Sequence, residues 1–240
     1  GPVADYLNPR PRNFASGIYK LRTTQSGEAP LDEDLFRTLT KGIPGTAMEV
    51  GFAGILTEEE RRQVIAFIKT FAADRFDAAP ERAEIGAEKS GSVEKGKEVY
   101  QKARCWECHG QEGRGDGPKA AQLTDDWGFP ILPADLTKGW RYKGGNAVRD
   151  IFTRFTTGVD GTPMPTFTDA LSEEDRWNLA AYVRSLIQEE KGGAEVVVHA
   201  KRIDQELPLD PNDPLWQKAE PIKVPLSGQI IVPPAGRTPR

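Results

Sequence analysis

The sequence predicts a mainly α protein: two tandem copies of one small helical domain, the first incomplete at its N-terminus, then the beginning of a β-rich segment. Three observations carry this. Blocks of sequence recur at one constant offset, Asp34-Leu35-Phe36 as Asp150-Ile151-Phe152 and Gly42-Ile43-Pro44-Gly45-Thr46-Ala47-Met48 as Gly158-Val159-Asp160-Gly161-Thr162-Pro163-Met164. The apolar residues around these blocks fall at helical spacing. The 240 residues include 24 Gly and 19 Pro and are only 38% hydrophobic, which suits small domains with much loop rather than one large core.

Taken in chain order, residues 1–73 form the first copy. After a one-residue slip in the offset, Leu56-Thr57-Glu58-Glu59-Glu60-Arg61 recurs as Leu171-Ser172-Glu173-Glu174-Asp175-Arg176, and Ala66-Phe67-Ile68-Lys69 as Ala181-Tyr182-Val183-Arg184. Residues 74–92 are charged and rich in Ala and Gly and read as a linker. Residues 93–190 form the second copy. Val93, Val99 and Tyr100 place a helix over Val93 to Ala103. Asn146 is a candidate cap for a helix to about Thr157 that buries Val148, Ile151, Phe152 and Phe155 and ends at Gly158. Ser172-Glu173-Glu174-Asp175 is close to a capping box. The helix that follows presents Trp177, Leu179, Ala180, Val183, Leu186 and Ile187 on one face. Its acidic start reads as a partner of the helix dipole, not as a metal site. Residues 191–240 are Pro-rich, with a β-branched, strand-like stretch at Val196-Val197-Val198.

Charge and hydropathy exclude two classes of partner. The net charge is −4 and the pI about 5.4, with no basic stripe for nucleic acid. No apolar run approaches the roughly 18–20 residues of a membrane span.

The two cysteines of the chain carry the chemistry: Cys105-Trp106-Glu107-Cys108-His109. Three readings compete. A thioredoxin-like dithiol requires a strand before the motif and a helix after it, whereas a helix precedes this one and Gly110, Gly113, Gly115 and Gly117 follow. A structural zinc site needs four N/S ligands, and the second histidine, His199, lies far away in a strand-like segment, where a surface role is the simpler reading. The third reading, covalent c-type haem, is the one this spacing specifies: each thiol adds across a vinyl group, and the adjacent imidazole meets one face of the iron. Such attachment takes place outside the cytoplasm, so the protein is expected to be periplasmic or otherwise extracytoplasmic.

The opposite face of the iron has a candidate in Met164. Prolines on both sides make its loop stiff and non-helical. Methionine is usually a filler of cores, but this one is pinned in a Gly-rich loop. Met48, the other methionine of the chain, occupies the same place in the first copy. That copy has no C-x-x-C-H within the sequence. Because Gly1-Pro2 matches Gly117-Pro118 at the same offset, a second motif is expected just upstream of Gly1, and both chain ends read as cut.

These residues resemble class I c-type cytochromes, tandem dihaem versions in particular. The likeness covers about residues 1–190. It rests on Cys105, Cys108 and His109, Gly115-Asp116-Gly117-Pro118, Pro133-Ala134-Asp135-Leu136, the Gly-Thr-x-Met-Pro loop and the last helix. It implies two cytochrome c-like domains, with Cys105 and Cys108 as thioether anchors, His109 as proximal ligand and Met164 as distal ligand. It also implies a second haem c with Met48 as ligand, although Glu49 stands where the family has Pro. The stretch Leu207-Pro208-Leu209-Asp210-Pro211-Asn212-Asp213-Pro214-Leu215-Trp216 resembles the opening of the ethylbenzene-dehydrogenase-type b-haem domain, the small electron-transfer subunit of periplasmic molybdenum enzymes such as nitrite oxidoreductases. Its haem b ligands would lie beyond residue 240.

The expected function is electron transfer by haem with His/Met ligation, as a subunit or domain of a larger periplasmic redox complex. The partners would be other redox subunits or soluble redox proteins, with no catalytic residue of its own. Two other classes compete: a dihaem enzyme of the peroxidase or thiosulfate-oxidising type, which needs an open iron, and a scaffold whose first copy only docks a partner.

Overall fold

The computed structural model describes residues 4, 7 and 9–188. The strand-like and b-haem-like readings of residues 191–240, and His199, lie outside the described residues. Among the described residues six α-helices follow in order: α1 (Asp32–Lys41), α2 (Glu58–Lys69), α3 (Val93–Lys102), α4 (Trp106–His109), α5 (Val148–Thr157) and α6 (Glu173–Leu186). Short 3-10 turns lie at Phe14–Ser16, Thr70–Phe76, Ala120–Gln122 and Gly139–Arg141. Among the described residues β-structure is limited to two isolated bridges, Thr24 with Arg82 and Thr124 with Pro130.

The helix starts are set by local chemistry. Thr57 Oγ1 accepts from the Glu60 amide at 3.3 Å while Glu60 Oε2 accepts from the Thr57 amide at 2.8 Å, a closed capping box for α2. Ser172 Oγ accepts from the Asp175 amide at 3.0 Å and starts α6. The expected Asn146 cap is not used: α5 starts one residue later, behind Ala147, without a side-chain cap. Asp150 in its first turn supplies the negative charge instead. At the far end Gly158 takes φ +67°, and an added Cβ there would sit 2.7 Å from the Thr166 amide nitrogen.

Apolar burial assembles two clusters. The larger holds Val99, Tyr100, Ile151, Phe152, Phe155, Leu171, Trp177, Leu179, Ala180, Tyr182 and Val183. Phe152 stacks on Trp177 with ring centroids 3.8 Å apart. Each such ring, fully buried, contributes roughly 1.5–3 kcal/mol. The smaller cluster holds Tyr19, Leu35, Leu39 and Ile65, with Phe36, Met48, Phe52, Val64, Ile68 and Phe76 packed on it.

Helices α3 and α6 cross at very close range because Gly96 has no side chain. A Cβ there would meet the Asn178 carbonyl oxygen at 2.0 Å and Tyr182 Cβ at 2.7 Å. One turn on, Tyr100 meets Tyr182 edge to face at 5.4 Å. The stretch read as a linker is partly pinned: the Ala83 amide donates to the Thr23 carbonyl (3.0 Å), and the Gln25 amide to the Glu81 carbonyl (2.9 Å).

The halves of the chain meet across a polar seam. Arg37 on α1 donates to the Gly144 carbonyl (2.9 Å) and to Asp150 (2.8 Å). Arg154 on α5 donates to the carbonyls of Lys20 (3.0 Å) and Arg22 (2.6 Å).

Candidate functional site

The C-x-x-C-H segment is held from both sides. Behind α3, Arg104 turns the chain with φ 59°, a left-handed conformation uncommon for a side chain of this size. Cys105 then caps α4, and the amides of Cys108 (3.3 Å) and His109 (3.0 Å) both donate to its carbonyl. The following Gly-rich loop folds back on the motif. The Gly115 amide donates to the His109 carbonyl (2.7 Å) and the Gly117 amide to the Cys108 carbonyl (3.1 Å). Tyr100 Oη donates to the Gly110 carbonyl at 2.6 Å, tying the motif to the buried core. Glu107 lies between Lys119 and Arg104 and pairs with both. The hydrogen bond from Lys119 holds its carboxyl below the usual range, with Arg104 adding to the effect.

His109 Nδ1 lies 2.9 Å from the Ala134 carbonyl oxygen. A carbonyl only accepts, so this contact places the proton on Nδ1 and leaves the Nε2 lone pair free, the tautomer a metal-bound imidazole requires. Burial pushes the imidazole pKa down and so favours the neutral ring, while the Ala134 bond acts in the opposite sense. Ala134 is itself fixed: Asp135 accepts from the amide and hydroxyl of Thr137 (3.0 and 2.6 Å), and Tyr142 Oη donates to the Leu136 carbonyl (2.7 Å). Burial raises the Cys105 thiol to about 11, so it remains a neutral thiol.

Met164 packs on the same apolar cluster as Cys105, Trp106, Leu136 and Phe167, all partly buried. Its loop is closed by three short bonds. The Val159 amide donates to the Met164 carbonyl (3.0 Å), Thr162 Oγ1 to the Val159 carbonyl (2.7 Å), and the Met164 amide to Thr162 Oγ1 (3.2 Å). The Met48 loop repeats the set: Ile43 amide to Met48 carbonyl (2.6 Å), Thr46 Oγ1 to Ile43 carbonyl (2.7 Å), Met48 amide to Thr46 Oγ1 (3.0 Å). Met48 packs on the smaller cluster, away from the cysteines.

The Met164 loop has one anchor that the Met48 loop lacks. Arg22, whose side chain is fully buried, pairs with Asp160. It donates through Nε to Asp160 (2.9 Å), and through its two Nη atoms to the carbonyls of Thr24 (2.7 Å) and Thr157 (2.9 Å). Asp160 also accepts from Ser26 Oγ (3.1 Å) and the Gly27 amide (2.9 Å). At the matching position of the first half stands Pro44. Sequence reasoning identified neither Arg22 nor Ala134 as a supporting group, because their partners lie 138 and 25 residues away.

The donor set fits a covalently held haem: two thiols three positions apart, an imidazole with Nε2 free, and a partly exposed apolar wall that a large flat apolar group would cover. It does not fit zinc, since among the described residues no three His, Cys, Asp or Glu side chains converge.

Known proteins agree with this chemistry. The family model for cytochrome c matches residues 93–186. A chain of the solved Kuenenia stuttgartiensis reducing HAO-like protein complex is 46% identical, with a TM-score of 0.74 over 78% of this chain and 86% of that one. No curated protein matches. With a cytochrome c domain built around its one C-x-x-C-H and close likeness to a redox-complex chain over most of its length, this protein belongs to the c-type cytochromes and transfers electrons through covalently bound haem.

Proposed function

We propose that the chain is a dihaem electron-transfer subunit of a larger extracytoplasmic redox complex, with His/Met-ligated haem. The carrying observation is the His109 Nδ1 to Ala134 contact at 2.9 Å, which presents Nε2 as a ligand at the end of a rigid C-x-x-C-H turn. In this reading Cys105 and Cys108 hold the haem by thioether bonds, His109 is the proximal ligand and Met164 the distal one. Bound haem supplies a reversible one-electron iron couple, and Met/His ligation raises its potential. The chain's own residues keep that couple free of side reactions. Ala134 fixes the imidazole, the proline-flanked loop holds Met164, and the core that includes Phe155, Trp177 and Leu179 excludes water. Ligation by both His109 and Met164 would leave no iron site for substrate, which favours a carrier over an enzyme.

Met48 is proposed as a ligand of a second haem in residues 1–73, forming one of two tandem cytochrome c-like domains. Support comes from the hydrogen bonds that the Met48 and Met164 loops share and from the apolar cluster on which Met48 packs. The complex context is supported by the likeness to a chain of a reducing HAO-like protein complex.

A pyridine haemochrome assay combined with intact mass tests this reading. The protein is expected to carry two haems, one of them covalently attached at Cys105 and Cys108. A product with one haem and an unchanged spectrum in Met48→Leu would overturn the role of Met48.

A further inference from the structure

Residues 9–12 read Pro-Arg-Pro-Arg. Proline fixes φ and keeps the residue before it out of the helical region, so this segment of the first half runs extended. Alternate side chains of an extended segment share a side, which sets Arg10 beside Arg12. In the second half, residues 123–131 form a hairpin closed by the Ile131 amide on the Leu123 carbonyl (3.0 Å) and the Asp125 amide on the Phe129 carbonyl (2.9 Å). Asp125 fixes its turn by accepting from the amides of Trp127 (3.1 Å) and Phe129 (2.9 Å). The guanidinium of Arg10 lies 4.0 Å from the centre of the Phe129 ring, and that of Arg12 4.6 Å from the Trp127 ring, two cation–π contacts in register. The same turn bears on the Met164 loop. The Asp126 amide donates to the Gly161 carbonyl (3.4 Å), and a Cβ at Gly161 would lie 2.7 Å from both Trp127 Cη2 and Arg12 Nη1. At the counterpart Gly45 no ring comes that close, and the nearest such atom is Arg141 Nε at 3.7 Å.

We propose that Arg12 is a positioning residue for Met164 and acts through Trp127. The strap of two arginines clamps the hairpin turn onto Gly161, three residues before the methionine. Gly161 is buried and takes φ +77°, so the ring and the guanidinium close directly on backbone. A loop pinned there cannot lift Met164 off the apolar cluster without first unseating Trp127. Arg22 ties the same loop at Asp160 by charge, and Arg12 ties it at the next residue by packing. The effect on the iron rests on the reading of Met164 as distal ligand, whereas the clamp rests on these contacts alone.

The haem-loaded protein tests this through CO uptake and amide exchange in Arg12→Gln, Arg12→Lys and Trp127→Leu, with Arg10→Gln, at the other end of the strap, as control. Arg12→Gln and Trp127→Leu are each expected to speed CO uptake by the ferrous protein roughly tenfold, the size set by one desolvated cation–π contact. Arg12→Lys recovers part of the loss, and Arg10→Gln changes the rate less. The double variant is no faster than either single one, because the two side chains act as a unit. Exchange of the Val159 and Met164 amides rises in the same order while the amides of α6 keep their protection. Unchanged CO uptake and unchanged exchange in Arg12→Gln overturn the proposal, even with a lowered guanidinium midpoint, since Arg12 then contributes to stability alone. Wild-type protein that binds CO at once removes Met164 as ligand, and exchange then decides the clamp. Faster exchange of Val159 and Met164 in Arg12→Gln keeps it, and equal exchange overturns it.

Discussion

Arg22 and Asp160 form an ion pair across the seam between the two halves of the chain, with the arginine side chain fully buried and the carboxylate 16% exposed. The pair ties the loop that carries Met164 to a segment more than a hundred residues earlier. The Met164 loop of the second half is therefore held by the first half.

Removing one partner of this pair leaves the other buried and unpaired, a loss of about 3–5 kcal/mol. Arg22→Gln is expected to lower the stability of the whole unit. It should also weaken the ferric sulfur-to-iron absorption near the red end of the spectrum at lower denaturant concentration than in the wild type, and Arg22→Lys should recover part of it. A variant that loses stability but keeps this band up to global unfolding would show that the pair does not position Met164.

Met164→Ala should abolish the same band and open the iron to CO, while haem attachment at Cys105 and Cys108 persists. Rapid CO binding by the wild-type ferrous protein would refute the distal assignment.

Gly96→Ala sets two effects against each other. Alanine gains about 1 kcal/mol in helix propensity. Its Cβ would also stand 2.0 Å from the Asn178 carbonyl oxygen, backbone that cannot swing aside. Overpacking of this kind costs about 1–3 kcal/mol or more, so the clash should win and the guanidinium midpoint should fall. A midpoint at or above the wild-type value would mean that α3 and α6 shift apart freely.

Lys20 gives a pH-dependent prediction. Burial, with repulsion from Arg12 and Lys143, holds its pKa down to about 8, against attraction from Asp125. In the unfolded chain the value returns to about 10.4. Below pH 8 the amine is protonated in both states. Between the two values the unfolded chain binds more protons, so stability rises with pH across that window. Lys20→Met should raise the melting temperature at pH 7 and flatten the rise between pH 8 and 10. Parallel curves for variant and wild type would place the titration elsewhere.

Much of this protein was legible in its sequence because the decisive signals are local. C-x-x-C-H spans five residues, and the two thiols and the imidazole need only one turn of backbone to converge. The helices from Ser172 and Thr57 follow from caps and apolar periodicity within a few residues, and the likeness of the Met48 and Met164 loops can be read from aligned Gly, Thr and Met. Asn146, by contrast, does not cap α5, which starts behind Ala147 without a side-chain cap.

The tertiary structure decided what depends on meetings between distant segments. The sequence by itself determined a c-type haem motif, its candidate ligands and the helices around them. It did not determine that the Ala134 carbonyl would set the His109 tautomer, that Arg22 would hold the Met164 loop, or that Arg12 would stack on Trp127 against Gly161. Each of these is a long-range contact chosen by packing and by the need to pair buried charge, and no local spacing rule encodes such a choice.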